Sequence, residues 1–365
     1  MTDINNRKTI ITIGIAVYNI CENFLRSCIE SVIEHSGYFA EIILIDDCSN
    51  EETSAICLEY KNSDGRIVYV RNKINEGVGA VRNKIIDLAS GEWLLFVDGD
   101  DMLTNSLSDC ISCNQCEKYD MIFFAEPSGT KDLHIRKLSD AAVSDILAAA
   151  LTRREPRSEE LSEFIIHPGA IWSVLYRTGF LRENGCRFKT ELKLAEDSLF
   201  NASVYLAHPN TAVYPRQIYY YRQNPQSVTQ RYNSNVKNLT ARYLNAIESF
   251  IADNKLPVRT EFIKYRCIRA MLDNFNCDIF HRDNPQTHRE RKNDFIHLLN
   301  SEPYKTALLK AVPGDYANHR MRLAIILAKK RLFTVLDVCF HHNYIFRLYG
   351  GIAYRIKKIK RNIKP

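Results

Sequence analysis

Residues 10–19 read IITIGIAVYN, a compact run of mostly β-branched residues that ends in a tyrosine and an asparagine. The following stretch, residues 21–35, places apolar side chains at the three- and four-residue steps of an amphipathic helix. A second apolar run, over residues 42–45, ends in two carboxylates. A strand, a helix and a second strand in this order form the crossover unit of a parallel sheet, so this stretch decides the fold class.

The same alternation of strand-like and helix-like periods continues to about residue 125. Further strands are expected over residues 67–70, 93–97 and 121–124, with helices around residues 55–58 and 78–88. Right-handed crossovers place helices on both faces of such a sheet. The sequence therefore predicts an α/β fold in which a mostly parallel sheet is flanked by helices.

Beyond residue 125 the pattern changes. Residues 126–165 are more polar and are expected to form an excursion over one face, and an aromatic strand is expected at residues 218–221. From about residue 235 onward the spacing is helical and is interrupted by prolines. We therefore predict a first domain over residues 1–235, an α-helical C-terminal region over residues 236–340 and a tail over residues 341–365.

The formal charge of +6 is unevenly distributed. Residues 320–365 hold 12 of the 49 lysines and arginines but only one acid, Asp337, so the rest of the chain is slightly acidic. In the tail, apolar residues, mostly isoleucines, at three- and four-residue steps alternate with basic residues, which is typical of a helix lying on an anionic membrane surface. The alternative is the basic end of a helix that packs on the first domain, and Gly350-Gly351 weakens a continuous helix.

Three other sequence features favour a cytoplasmic protein. The first ten residues lack the pattern of a signal peptide, and the apolar runs are shorter than the roughly 18 to 20 residues needed to span a bilayer. Eleven cysteines are an odd and sparse set for a disulfide framework. We therefore expect a cytoplasmic location, with peripheral attachment to the inner face of the plasma membrane through the tail.

The richest cluster of carboxylates follows the strand expected at residues 93–97, as Asp98-Gly99-Asp100-Asp101. Ligands of a parallel sheet bind at the carboxyl ends of its strands, and carboxylates two apart in a turn can face one hard cation. Asp46-Asp47 ends the neighbouring strand. The alternative is an acidic turn of the kind that commonly follows strands.

Two helix starts also carry candidate residues. The segment 75–83, NEGVGAVRN, opens a helix with two glycines and places Arg82 one turn in, which favours an anion such as a diphosphate. Glu196-Asp197 precedes another apolar helical run. For these segments taken alone, a glycine-initiated surface helix and ordinary first-turn acids are the alternatives.

Taken in order, these segments resemble the family 2 inverting glycosyltransferases, which are nucleotide-sugar enzymes of the Rossmann-like GT-A fold. The resemblance extends over about residues 9–235 and is carried by six segments, at residues 13–19, 45–49, 75–83, 96–101, 196–197 and 220–227. The family often has proline where Ala16 stands, and its Trp-Asn-Lys segment is present here as Trp172-Ser173-Val174.

The resemblance implies a role for each matching position. Asp197 would be the general base, and Asp100 would bind Mg²⁺ or Mn²⁺ bridging the diphosphate. The acceptor side would include Trp172, Glu196 and Arg222. The donor-binding set would consist of Ala16, Tyr18, Asn19, Asp46, Asp47, Asn75, Gly77, Arg82 and Asp98.

The implied reaction moves a hexosyl or N-acetylhexosaminyl group from a nucleotide sugar, expected to be a UDP-sugar, to a hydroxyl of a glycan or lipid-linked glycan in polysaccharide synthesis. A sugar nucleotidyltransferase would share the fold class but needs a glycine-rich loop after the first strand. A dehydrogenase would need the missing dinucleotide fingerprint. A nucleic-acid-binding protein using the tail is the non-enzymatic alternative, but the body lacks a basic stripe with interleaved aromatic residues, so no nucleic-acid partner is expected.

Overall fold

The computed structural model describes the chain in six stretches, namely residues 11–37, 40–105, 107, 116–127, 134–222 and 231–341. These residues form two compact units, the first comprising Met1–Leu151 and Glu155–Asn224, the second Thr152–Arg154 and Pro225–Pro365. Two predicted features lie outside the described residues: positions 342–365 of the tail, and positions 223–227 of the 220–227 segment.

The strands of the first unit are β1 (Ile11–Val17), β2 (Ala40–Asp46), β3 (Ile67–Arg71), β4 (Trp93–Asp98), β5 (Met102–Leu103), β6 (Met121–Phe124), β7 (Glu126–Pro127), β8 (Arg136–Lys137), β9 (Phe164–Ile165), β10 (Val174–Arg177), β11 (Thr211–Tyr214) and β12 (Tyr219–Tyr220). Eight of them form one sheet with the order β3-β2-β1-β4-β10-β6-β11-β8, accompanied by the two-stranded ribbons β5–β12 and β7–β9. Strands β3, β2, β1 and β4 are parallel, β10 runs antiparallel between β4 and β6, and β11 is parallel to β6. The predicted α/β fold with a mostly parallel sheet is confirmed.

Both faces of this sheet are buried. Ile13 and Ile15 of β1 pack on one face with Leu44 of β2, whereas Ile43 and Ile45 of β2 pack on the other. A strand that is buried on both faces has a continuous apolar sequence instead of an alternating one, because neither face meets water. This is the physical reason why the opening runs of the chain identified the sheet so clearly.

The helices that flank the sheet are Glu22–His35, Glu51–Ser63, Val78–Leu88, Asp140–Thr152, Thr178–Glu183 and Glu196–Leu206. The expectation of a polar excursion over residues 126–165 was wrong for the stretch Asp140–Thr152, which is a helix with Ile146 and Leu151 fully buried. Five alanines dominate this helix. Alanine strongly favours helix but contributes little to a hydrophobic periodicity, so the pattern of large apolar side chains did not reveal it.

Where the structure describes the second unit, all of its regular secondary structure is helical, as the sequence predicts. Its helices are Val236–Asp253, Arg259–Glu261, Phe262–Cys267, Ile268–Asn274, Phe275–Ile279, His288–Asn300, Tyr304–Lys310, Pro313–Asp315, His319–Lys329 and Phe333–His341. Phe275, Phe280, Phe295 and Phe333 form an aromatic cluster with ring centroids 5.2 to 5.8 Å apart. Within the described part of the chain, no helix is both long and apolar enough to cross a bilayer.

The register of the sheet brings the polar strand ends to one edge. Val17 pairs with Asp46, Ala16 pairs with Asp98, and Asp46 pairs in turn with Arg71. The carboxyl ends of four parallel strands therefore lie side by side, which is where a sheet of this kind binds its ligands.

Gly91, two residues before the start of β4, offers a test of this packing. A β-carbon at Gly91 would lie 2.5 Å from the backbone nitrogen of Thr12, whereas one at exposed Gly65 would meet nothing within 4 Å. We expect Gly91→Ala to lower the free energy of unfolding of the first unit by about 1–3 kcal/mol, because β1 and β4 must separate. Gly65→Ala, the control, should change it by less than about 1 kcal/mol.

Urea unfolding followed by tryptophan fluorescence measures this quantity, because the two tryptophans, Trp93 and Trp172, both lie in the first unit. Equal stabilities of the Gly91→Ala and Gly65→Ala variants would contradict the close approach of β1 to the turn before β4.

Candidate active site

The loops after β1 and β2 are tied to each other at the sheet edge. Asp47 donates its backbone N–H to the carbonyl of Val17 at 2.8 Å. Asn19, which has a positive φ of 47°, accepts from the backbone N–H of Asn50 at 2.8 Å and donates its own to the Ser49 hydroxyl at 3.1 Å. Tyr18 stays 51% exposed and Ala16 is partly buried. These contacts give the end of β1 one defined conformation facing solvent.

Asp46 lies beneath these loops with no exposed surface. One carboxylate oxygen accepts from the Ser49 backbone at 2.7 Å, and the other accepts from the hydroxyls of Ser54 at 2.5 Å and Tyr69 at 3.0 Å. Burial alone would raise the pKa of Asp46, but these hydrogen bonds outweigh it and lower the pKa. Asp46 is thus a buried side chain whose hydrogen bonds hold the loop after β2.

Asp47 organises the start of the helix Val78–Leu88. Its carboxylate accepts from the backbone N–H groups of Glu76 at 2.9 Å and Gly77 at 2.8 Å, and from the side chain of Asn72 at 2.7 Å. Gly77 has a φ of 89°, which a residue with a β-carbon rarely adopts. The Asn75 side chain donates to the backbone carbonyl of Asp47 at 3.4 Å. The predicted donor-binding residues Asp47, Asn75 and Gly77 are therefore brought together.

Arg82 is the centre of the site. Its guanidinium, in a residue only 5% exposed, contacts Asp98 at 2.8 Å, Glu196 at 3.0 Å and Asp197 at 2.6 Å. Phe188 covers the guanidinium, with its ring centroid 5.5 Å from the central carbon. One buried cation therefore joins the end of β4 to the start of the helix Glu196–Leu206, although Arg82 and Asp197 are 115 positions apart in sequence.

Burial and charge act in opposite directions on this ion cluster. Burial would lower the pKa of the Arg82 guanidinium, but the charges of the three carboxylates outweigh it and raise the pKa. Burial raises the pKa of Asp197 well above its usual value, while the charge of Arg82 opposes this rise. Asp197 and Asp98 keep 26% and 31% of their side-chain surface exposed, against 11% for Glu196. The first two carboxylates can therefore reach a ligand, and Glu196 is chiefly a partner of Arg82.

The acidic turn after β4 is closed by a hydrogen bond of 3.0 Å from the Asp101 backbone N–H to the Asp98 carbonyl. Gly99 fits closely inside it, because a β-carbon there would lie 2.4 Å from the end of the Ile20 side chain and 3.1 Å from the Ala16 carbonyl. Asp100, the predicted metal ligand, is partly buried in this turn.

The acidic turn suits a divalent ion that takes only one or two of its ligands from the protein. Within the described ranges, no group of three or more histidine, cysteine or carboxylate side chains is arranged to hold a metal ion by itself. Mg²⁺ keeps several waters and is usually bound by one or two carboxylates together with phosphate oxygens, so it needs no such cage. The turn can supply those one or two carboxylates.

Sequence reasoning missed two residues of the site, Asp101 and Tyr219. Tyr219 donates its hydroxyl to the Asp101 carboxylate at 2.7 Å, and Asp101 also accepts from the backbone N–H of Arg222 at 2.8 Å. Burial raises the pKa of Asp101 to about 7, against the effect of these two hydrogen bonds. The only signal in the sequence was that Asp101 extends the acidic turn by one carboxylate.

The predicted acceptor-side residues lie in different surroundings. Trp172 stacks on Tyr219 with ring centroids 5.1 Å apart and on Tyr221 at 5.9 Å, and it therefore adjoins the acidic turn. The guanidinium of Arg222 lies 4.3 Å over the ring of Phe24, in the helix that follows β1. The structure brings Trp172 and Arg222 to the acidic turn through Tyr219 and Asp101.

Asn201 holds the loop before Trp172 to the helix that carries Asp197. Its buried side-chain amide donates to the carbonyls of Pro168 at 3.3 Å and Ala170 at 2.8 Å, and its oxygen accepts from the Tyr176 hydroxyl at 2.7 Å. Trp172 and Asp197 therefore sit on parts of the chain that are firmly attached to each other. Nothing in the spacing of the sequence singled out Asn201.

Residues 12–113 match the family model described as Glycosyl transferase family 2. The chain carries a glycosyltransferase family 2 domain. The resemblance seen in the sequence is thereby confirmed, and the matched range contains four of the six segments that carried it, those from residues 13–19 to residues 96–101.

Several bacterial glycosyltransferases are similar to this chain in sequence. The uncharacterized glycosyltransferase EpsJ of Bacillus subtilis is 27% identical over 225 residues, which cover 60% of this chain and 63% of EpsJ. Glycosyltransferase GlyA of Streptococcus pneumoniae is 24% identical over 345 residues, covering 92% of this chain and 47% of GlyA. The chain thus spans less than two thirds of the length of these relatives.

A third similar protein is known from both its sequence and its crystal structures. The poly(ribitol-phosphate) beta-N-acetylglucosaminyltransferase TarS of Staphylococcus aureus is 26% identical over 67% of this chain and 42% of TarS. The crystal structure of TarS 1-349 in complex with UDP-GlcNAc matches with a TM-score of 0.55 at 20% identity, covering 91% of this chain and 90% of that chain. This likeness establishes a common fold.

The ion cluster around Arg82 makes a prediction about stability. Arg82→Met removes one cation and leaves three carboxylates crowded in a partly buried site, so we expect it to cost about 3–5 kcal/mol of unfolding free energy. The control, Arg187→Met, breaks an exposed pair with Asp87 and should cost less than about 1 kcal/mol. Urea unfolding followed by tryptophan fluorescence measures both, and similar small losses for the two variants would refute the central role of Arg82.

Proposed function

We propose that this chain is a metal-dependent inverting glycosyltransferase that moves a sugar from a UDP-sugar to a hydroxyl of a glycan or lipid-linked glycan acceptor in cell-surface polysaccharide synthesis. The observation that carries the proposal is the contact of buried Arg82 with both Asp98 and Asp197. It places one solvent-reaching carboxylate at the acidic turn and another at a helix start, on either side of one guanidinium.

The donor would lie at the carboxyl edge of β1, β2 and β4. Exposed Tyr18 and the ordered loop at Asn19 suit the base and ribose, and the loop held by Asp47 brings Gly77 to the same edge. Asp98 would face the ribose or the sugar. Asp46, being fully buried, would act on the donor indirectly by shaping the loop after β2.

A divalent ion is needed on electrostatic grounds. Asp98, Asp100 and Asp101 share one turn, and two further carboxylates surround Arg82. Arg82 is already committed to three carboxylates, so it is unavailable as a full counter-charge for a diphosphate. A Mg²⁺ or Mn²⁺ ion held by Asp100 would screen this negative site, and when bound it would stabilise charge on the leaving diphosphate.

Asp197 is the base in this proposal. Inversion requires the acceptor hydroxyl to attack the anomeric carbon opposite the leaving diphosphate, and one carboxylate has to take the hydroxyl proton. Burial gives Asp197 a raised pKa and hence a greater affinity for that proton, while Arg82 fixes its position. Glu196 would keep Arg82 in place, and Trp172 would present a flat apolar surface toward a sugar ring of the acceptor.

Similar proteins support the choice of substrates. TarS is named for transfer of N-acetylglucosamine to poly(ribitol-phosphate), and its structure has been determined with UDP-GlcNAc. Another relative, from Bacillus spizizenii, is named a poly(ribitol-phosphate) beta-glucosyltransferase and is 27% identical over 58% of this chain. A UDP-hexose or UDP-N-acetylhexosamine donor and a cell-wall polymer acceptor are therefore the substrates to test for this chain.

Two substitutions test the chemistry with a panel of UDP-sugars, by release of UDP with Mg²⁺ or Mn²⁺ present. Asp197→Asn should lower turnover by about 10²- to 10⁴-fold and leave UDP binding close to that of the unmodified chain, because it removes only the proton acceptor. Asp100→Ala should abolish metal-dependent UDP binding as well as turnover.

Asp87→Asn, which alters an exposed carboxylate of the same unit, is the matched control and should leave both quantities unchanged. Near-normal turnover of the Asp197→Asn variant would show that another group is the base. Metal-independent binding and turnover in all variants would rule out the metal-dependent mechanism.

We further propose that residues 341–365 attach the enzyme to an anionic membrane surface, next to a lipid-linked acceptor. This rests on the sequence pattern, with roughly 1 kcal/mol available per basic residue close to such a surface. The full chain should float with vesicles that contain anionic lipid and not with neutral ones, and deletion of residues 341–365 should abolish flotation. Retention of nucleic acid by the full chain, without vesicle binding, would favour the nucleic-acid alternative.

A further inference from the structure

We propose that Tyr219 is a positioning residue that sets the conformation of the acidic turn Asp98–Asp101 and thereby its affinity for a divalent cation. The inference rests on the proposed function of this turn. It concerns a side chain that touches neither donor nor acceptor in that proposal.

The hydroxyl of Tyr219 joins both ends of the turn. It accepts a hydrogen bond from the backbone N–H of Asp98 at 3.1 Å and donates one to the carboxylate of Asp101 at 2.7 Å. A hydroxyl can do both at once, because it carries one donor proton and two acceptor lone pairs. Asp100 lies between the two residues held in this way.

The segment that carries Tyr219 makes further contacts with the acidic turn and with the residues just after it. Strand β12 pairs with β5, with Tyr219 opposite Leu103 and Tyr220 opposite Met102, so it follows the residues just after the turn. The other oxygen of Asp101 accepts from the backbone N–H of Arg222 at 2.8 Å. The segment 219–222 is therefore bound to residues 98–103 by side-chain and backbone contacts together.

Packing keeps the hydroxyl in this position. Tyr219 is 1% exposed, and the ring of Trp172 stacks on it with 18° between the ring planes. A buried, stacked ring cannot swing its hydroxyl away without opening the core. The hydroxyl is consequently a rigid support for both ends of the turn that carries Asp100.

Three consecutive tyrosines make a matched experiment possible. Tyr219 is buried and bonded to the turn, whereas the next residue, Tyr220, is 52% exposed. Tyr219→Phe removes one hydroxyl and keeps the ring and its stacking. Tyr220→Phe makes the same chemical change at an exposed side chain, whose hydroxyl shows no hydrogen bond to the turn among the described residues.

The measurement is Mn²⁺ binding to the full chain, with and without UDP, followed by the electron paramagnetic resonance signal of free Mn²⁺. Tyr219→Phe should weaken Mn²⁺ binding by about fivefold or more, since a typical hydrogen bond of this kind changes an equilibrium by that order. Tyr220→Phe should bind Mn²⁺ like the unmodified chain. UDP binding at saturating Mn²⁺ should be restored in the Tyr219→Phe variant, an outcome that general damage to the fold would not produce.

Other outcomes separate this inference from the proposed function. Equal Mn²⁺ affinity of the unmodified chain and the Tyr219→Phe variant overturns the positioning role and leaves the glycosyltransferase proposal standing. Absence of both Mn²⁺ and UDP binding in the unmodified chain overturns the two together. If Tyr219→Phe unfolds the first unit, Asp101→Asn tests the same link from its other end, and unchanged Mn²⁺ affinity in that variant contradicts the inference.

Discussion

The buried guanidinium of Arg82 is the interaction on which the rest of the site depends. Desolvating a cation is costly, and the site offsets that cost only because three carboxylates contact it within 3.0 Å. Those carboxylates come from the end of β4 and from a helix start about 100 residues later. The placement of the candidate base, Asp197, therefore depends on correct folding of the sheet.

The same arrangement explains the electrostatic character of the site. Because Arg82 is shared by three carboxylates, the edge of the sheet remains negative where a glycosyltransferase would have to accept a diphosphate. In the proposed function a divalent cation would resolve that conflict, and an acidic turn with few ligands of its own suits an ion that takes its remaining ligands from phosphate and water. Tyr219 contacts both Asp101 of this turn and the ring of Trp172. The acidic turn and the predicted acceptor-side residue Trp172 are therefore held by the same tyrosine.

Much of the fold and part of the site could be predicted from sequence, and the failures have physical causes. Strands such as β1 and β4 were identifiable because burial on both faces produces continuous apolar runs. The helix Asp140–Thr152 was missed because alanines bury little surface and leave a weak periodicity. Arg82 was expected beside an anion, since a basic residue near a helix start commonly binds one, but its three partners are carboxylates that no local pattern connects to it.

The sequence by itself determined the order of the main strands and helices in the first 125 residues, the polar residues at each strand end, and the resemblance to the family 2 glycosyltransferases. These are local properties, because hydrophobic period and motif spacing are written in neighbouring residues. Only the tertiary structure decided that Asp46 is buried while Asp98 and Asp197 reach solvent, that Arg82 joins them, and that Tyr219 closes the acidic turn. Such facts depend on contacts between residues far apart in the chain, and on burial, which has no value until the chain has folded.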